Sequence, residues 1–418
     1  MRPLVAATWF CSVTFGLSPA LATAHEPASF DWPAWRGPRG DGVADGFDLP
    51  TRWDGQTNIA WKTPIDGVGY SSPIVVGEHV FLTTADSWGA WRGVVCLDLR
   101  TGQERWRRTI ADDDPEVASS MTSHAAATPA SDGRRVVAAF GRAGIVCYDL
   151  SGMLLWHRSL GRFESELGLA SSPVIADGVV YLVCDHDGDG YRSFDSYLLA
   201  LDVVTGGELW RTPRNGLYRS WSTPLVLGKT LVVSAQDEVR GYDRRSGRVA
   251  WSVAGNDGWV APSPVFAHEL IFASSGRAGP LVAIGAAGGL DRDGGELAAI
   301  AWQAPTGGAY VCSPIVYGDY LYVHDESGVL SCYHAATGKR EYRRRLEGKF
   351  YASAVAGDGR LYFLNDAGET HVVRAGPRFE LLATNPLGEY ALATPAACGG
   401  GLLLRTREHL YCAREVTK

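Results

Sequence analysis

The sequence predicts an all-β chain folded as an eight-bladed β-propeller, and three observations carry that expectation. A Ser-Pro or Thr-Pro pair opening an apolar strand recurs in eight copies, from Ser72-Pro73 to Thr394-Pro395, at intervals of 40 to 56 residues, with Ala354 in place of Pro in the seventh copy. A hairpin of fixed length closing on Trp recurs, as Cys96 to Trp106, Ala200 to Trp210 and Gly241 to Trp251, with Cys332 to Tyr342 closing on Tyr and Cys147 to Trp156 one residue shorter. A strand ending in Trp61 stands before the first copy, and the last copy stops one strand short. A period of about 40–50 residues filled only with strand signals is what radially stacked four-stranded blades produce.

Composition agrees with strands and turns. The chain has 50 Gly and 14 Trp against 3 Met, and 46% of it is hydrophobic, enough for a large packed core. Its net charge of -7 argues against a nucleic-acid partner, which would need a basic stripe.

Taken in chain order, Arg2 precedes an apolar stretch from Leu4 to Leu17, Pro19 interrupts it, and Ala22-Thr23-Ala24 offers small residues for cleavage. Residues 1–24 are expected to be a secretory signal peptide, which puts the mature chain in the periplasm or outside the cell. The stretch is too short to span a bilayer comfortably, and nothing after it is long and apolar enough. Residues 25–57 form an N-terminal leader segment, and residues 58–418 form the propeller.

Within a copy the order is fixed. The Ser-Pro strand is followed by a turn, an alternating apolar strand such as Leu321-Tyr322-Val323, a third strand, and the Trp-terminated hairpin. The hairpin explains itself locally. An Asp side chain accepts backbone N–H groups at the turn, Gly takes the positive φ of a bulged three-residue loop, and Trp offers a flat face to the next blade. Two copies have decayed: the fifth carries a Gly-rich insertion before Trp302, and the seventh ends Phe379-Glu380-Leu381-Leu382 without Trp. Pairing Asn58–Lys62 with Leu410-Tyr411-Cys412 completes the eighth blade and removes the free sheet edges.

Eight cysteines are present, one of them Cys11 in the leading apolar stretch. Cys96, Cys147, Cys332 and Cys412 occupy equivalent repeat positions in different blades, so they read as small buried hydrophobes, not as disulfide partners. No CxxC, CxxCH or adjacent Cys pair occurs, so zinc, c-type haem and a vicinal disulfide lack a basis.

The run Ala200-Leu201-Asp202-Val203-Val204-Thr205-Gly206-Gly207-Glu208-Leu209-Trp210 resembles the tryptophan-docking motif of the quinoprotein-type, PQQ-binding-like repeat family, whose repeat also builds the assembly protein BamB. The opening Trp32-Pro33-Ala34-Trp35-Arg36-Gly37-Pro38 is similar to the leader of secreted members. The resemblance covers residues 31 to 416 and implies the fold, with a binding or scaffolding role as in BamB, or PQQ and Ca²⁺ in a central funnel as in the dehydrogenases. The adjacent Cys pair of the alcohol-oxidising members is absent here.

Repeat phase also selects candidate site residues. The segments leading into the innermost strands line one opening of such a ring. At five and three residues before the strand-opening position they carry His124, Arg219, Trp221, Trp259, Lys349, Tyr351 and Tyr390. Cationic and aromatic groups around one mouth suit an anionic or carbohydrate-like ligand, and polar and aromatic side chains are also ordinary on propeller rims. Asp185, Asp187 and Asp189, with Gly188 and Gly190, match the start of a Ca²⁺ loop, although Ser196 stands where a bidentate Glu would be needed. The acidic insertion Asp112 to His124 is the longest between blades. Three functions are consistent with these residues: a non-enzymatic exported scaffold binding a protein or an extracellular ligand, a PQQ-dependent oxidoreductase, and a carbohydrate-binding propeller.

Overall fold

The computed structural model describes residues 31–116, 122–161, 163, 165, 167–186, 196–214, 220–285 and 299–415. The expected signal peptide, residues 1–24, lies outside them. Every sheet in the described chain is a four-stranded antiparallel blade, and there are eight. The first blade shows the pattern: Ile74–Val76, His79–Ala85, Trp91–Asp98 and Glu104–Ala111 run from the inside of the ring outward. Its inner three strands are almost wholly buried, and its outer strand alternates toward solvent.

The ring closes as the repeat phase requires. The N-terminal strand Ile59–Pro64 pairs antiparallel with His409–Arg414, setting Trp61 opposite Cys412 and Lys62 opposite Tyr411. This sheet contains both ends of the propeller, so no blade presents a free seam.

Tryptophans hold neighbouring blades together. Trp61 Nε1 donates to Leu99 O at 2.9 Å, Trp106 to Leu150 O at 2.9 Å, Trp156 to Val203 O at 3.0 Å, Trp210 to Arg244 O at 3.0 Å and Trp302 to Ala335 O at 2.8 Å. Each indole lies on the hairpin glycine of the next blade. At Gly102 the φ is 71°, and a Cβ would come within 2.5 Å of the Trp61 ring; at Gly206 the φ is 68° and the distance to Trp156 is 2.7 Å. Glycine is therefore required twice over, by backbone and by contact. Asp98 Oδ1 fixes its turn by accepting from Arg100 N, Thr101 N and Thr101 Oγ1. In the sixth blade Tyr342 replaces Trp and packs edge-on against Phe379 at 5.9 Å.

All seven described cysteines are buried and free, and Cys96, Cys147, Cys332 and Cys412 are fully enclosed, in line with the small-hydrophobe reading.

The leader is part of the packed molecule. Trp32 bridges Val75 of the first blade, Ser131 N donates to Pro33 O, Arg36 Nη2 donates to Pro314 O, Ala44 N donates to Ala356 O and Gly400 N donates to Phe47 O. These contacts reach the first, second, sixth, seventh and eighth blades. The Ser131, Ala356 and Gly400 contacts lie toward the ends of the innermost strands, so the leader covers the end of the ring opposite the lead-in segments, with Arg36 reaching in to the strand-opening Pro314. Burial holds the Arg36 guanidinium down at about 10, against the pull of Asp41.

Candidate functional site

The axis of the ring is built from the strand-opening Ser and Thr residues. Ser72 N donates to Thr128 Oγ1 at 2.9 Å, Thr128 N to Ser172 Oγ at 3.0 Å and Ser172 N to Thr223 Oγ1 at 3.0 Å. The sequence continues through Ser263, Ser313 and Ser353 to Thr394, each hydroxyl accepting from the blade before it. Where Pro follows, the residue before it is held extended by sterics, which turns its N–H toward the neighbouring blade; Ser353, followed by Ala354, makes the same bond. Among the described residues none of these seven acceptor hydroxyls donates to the protein, so their O–H protons remain free.

Two residues earlier in each copy, all eight side chains from Tyr70 to Leu392 line a narrow cavity of about 150 Å³, together with Trp35 of the leader. Above it the axis widens into a funnel of about 610 Å³, a volume typical of small-molecule sites. The wall is uneven. Ala126, Ala170 and Ala261 make the second, third and fifth blades thin at the axis, whereas Tyr70, Trp221 and Tyr351 bring aromatic rings to it.

One aromatic arc runs from Trp221 to Trp259 at 6.1 Å and on to Tyr310 at 5.8 Å, where Arg277 lies 5.2 Å from the ring centre. A parallel bridge between Ser220 and Val260 keeps these lead-in segments extended and side by side. Trp221 is buried and donates to Ser165 Oγ at 3.4 Å, while Trp259 is 37% exposed. A second group joins Tyr351 and Tyr70 on the wall to Tyr390, whose phenol is pushed up by burial and by those two neighbours.

Charges are interleaved with the rings. Lys349 and Arg277 line the funnel, as do Asp325 and Glu326. Glu326 Oε1 accepts from Tyr310 N at 2.8 Å and Val311 N at 2.6 Å. Asp325 Oδ1 accepts from Ser327 N, Ser327 Oγ and Val329 N. Among the described residues the Lys349 ammonium and the Arg277 guanidinium have no ion-pair partner.

Of the residues selected by repeat phase, Trp221, Lys349 and Tyr351 line the funnel and Trp259 and Tyr390 flank it. Arg219 lies outside the described residues. His124 is placed off the funnel wall: it is 9% exposed, covered by Gly89 and 4.0 Å from Glu116. Arg92, fully buried, grips Glu116 at 2.6 Å and Asp112 at 2.9 Å and holds Glu116 beside that ring. Burial, then Arg92, lower the His124 imidazole below its usual range.

Asp185 is committed elsewhere. Both its oxygens accept from Arg214, Nε at 2.7 Å and Nη2 at 2.9 Å, in a fully enclosed pair that Tyr242 extends. Asp187 and Asp189 lie outside the described residues. The remaining wall residues escaped repeat phase for definite reasons. Tyr310 sits one residue off the alternating positions, and Arg277, Asp325 and Glu326 belong to loops between the second and third strands, which the strand-opening Pro does not index.

A quinone and divalent ion would need several convergent oxygen ligands. The described funnel wall supplies two neighbouring carboxylates, each already accepting from the chain. The one convergent group of three His, Cys, Asp or Glu side chains among the described residues, Glu389, Glu408 and His409, is at the seam. The described donors do not fit that pair.

Comparison with known proteins gives the repeat a context. The family profile described as outer membrane protein assembly factor BamB matches residues 42–188, 91–291 and 287–376. BamB of Yersinia pestis is 23% identical over 287 residues, 66% of this chain and 64% of that protein. The chain spans less than two thirds of the length of the curated relatives it matches. The quinohemoprotein alcohol dehydrogenase of Comamonas testosteroni superposes over 93% of this chain and 81% of its own, with a TM-score of 0.67 at 12% identity. BamB of Moraxella catarrhalis superposes over 85% of this chain and 99% of its own, with a TM-score of 0.60 at 13% identity. At these identities the structural likeness speaks to fold alone. No helix among the described residues is long and apolar enough to cross a membrane.

Proposed function

This chain belongs to the BamB-type family of PQQ-like repeat propellers, and from that premise we propose that it is an exported, non-enzymatic propeller that receives a ligand in its funnel. Residues 1–24 would be removed on export, leaving the leader to cover one end of the ring. The observation that carries the reading is the funnel: about 610 Å³, reached from one side, backed by Trp35, and walled by aromatic rings interleaved with charge. Rings give a ligand apolar contact area and the charged groups orient it. A partner protein, as the name of the BamB relatives suggests, would dock around the same mouth, where Trp259 and Tyr390 are exposed.

The test is a titration of mature protein, followed by tryptophan fluorescence, against saccharides, quinones and co-purifying proteins. Saturable binding that weakens in Tyr351→Ala supports the reading. Binding indifferent to Tyr351→Ala, or dye-linked alcohol oxidation on addition of PQQ and Ca²⁺, overturns it.

A further inference from the structure

We propose that the funnel takes the end of a neutral oligosaccharide chain; this rests on reading the funnel as a binding site. Three features of the wall select that chemistry.

The first is the alternation of rings and charges. The Trp221–Trp259–Tyr310 arc and the wall rings Tyr351 and Tyr70 give apolar platforms. A pyranose presents C–H groups on its faces and hydroxyls around its edge, so it stacks on a ring while its rim meets polar groups. The same wall carries Lys349 and Arg277 as donors, Arg277 lying against the Tyr310 ring, and the free oxygens of Asp325 and Glu326 as acceptors. A sugar hydroxyl uses both kinds at once.

The second is charge balance. Sequence phase exposes only the cationic side of the mouth, which favours an anion. Asp325 and Glu326 cancel Lys349 and Arg277, so the described wall is neutral, and an anionic chain gains from one pair what it loses to the other. Glu326 is also held in place by two backbone amides, so it cannot turn away from a ligand anion.

The third is the base. Beneath the aromatic rings lie strand-opening hydroxyls that each accept one backbone N–H and keep their own protons free to donate. A terminal sugar's oxygens would accept from them. Trp35 backs that cavity and the leader crosses the axis beyond it, so a polymer could not thread through the ring. The geometry therefore favours a chain end over a chain middle.

The experiment uses mature full-length protein and isothermal titration with linear neutral oligosaccharides of increasing length, their uronate counterparts, sulfated counterparts, and cyclic oligosaccharides without an end. The expected result is binding of at least one linear neutral series that tightens over the first few sugars and then levels off. Uronate and sulfated chains should bind no better, and the cyclic compounds should fail. Tyr351→Ala and Lys349→Ala, both outside the strands, should each weaken binding by about tenfold or more, with unchanged circular dichroism and melting temperature. Tighter binding of uronate or sulfated chains, or equal binding of cyclic ones, overturns the proposal. So does silence from every saccharide. In that last case a titrating quinone or protein partner, sensitive to Tyr351→Ala, leaves the binding reading standing, whereas silence from all three classes removes both.

Discussion

The Lys62 ammonium lies 2.9 Å from Glu389 Oε1, joining the closing N-terminal strand to the segment that leads into the eighth blade across 327 residues of sequence. Tyr411, the strand partner of Lys62, donates to the same oxygen at 2.6 Å, and Thr406 Oγ1 and His409 Nδ1 reach Oε2 at 2.6 and 2.9 Å. One carboxylate thus gathers both chain ends at the seam.

Glu389 should make closure sensitive to acid. Burial alone would raise its carboxyl, but hydrogen bonds from Lys62, Thr406, Tyr411 and His409 outweigh that and hold it at about 2. A folded-state value below the unfolded one contributes stability that is fully present above the unfolded value and disappears as pH falls toward the folded one. The window therefore runs from about pH 4.5 down to about 2. Glu389→Gln is expected to cost about 1–3 kcal/mol at neutral pH and to flatten this limb, as read by urea unfolding at several pH values.

Removing Asn58 to Lys62 deletes most of the strand that pairs with His409–Arg414 and takes away the Trp61 dock on Leu99. Two edges and an apolar face are then exposed. Calorimetry should show loss of the single cooperative transition; an unchanged melting temperature would contradict the seam.

Gly102→Ala tests tryptophan docking. It strains a φ of 71° and drives a methyl into the Trp61 ring. Gly178→Ala strains a similar φ of 78° in open space. The second change should cost about 1 kcal/mol and the first clearly more, about 2–4 kcal/mol. Equal melting temperatures for the two variants would mean that the indole contact contributes nothing.

The cysteines should be silent in the folded protein. Burial pushes the Cys96, Cys147 and Cys332 thiols up to about 12, so almost no thiolate exists at neutral pH. Thiol reagents should label none of Cys96, Cys147 and Cys332 in native protein and all three after denaturation without reductant. A disulfide between any two of Cys96, Cys147, Cys332 and Cys412 in mass spectrometry would refute their assignment as packing residues.

Local chemistry determined much of this protein on its own. Asp98, Gly102 and Trp106 in one hairpin need only each other and the next copy, so repetition made blade number, register and the Trp61 seam legible from sequence. The strand-opening phase found Trp221, Lys349 and Tyr351 for the same reason: a period-two lead-in points alternate side chains at the axis. Tertiary structure decided the rest. His124 holds the same phase as Trp259, yet buried Arg92 keeps Glu116 beside it, an ion pair that no spacing encodes. Asp325 and Glu326 reach the funnel from another loop and offset the cationic reading of its mouth, because charges balance by distance in space and not along the chain. The leader's Trp35 closes the axis only because distant blades supply the backbone partners that hold it there.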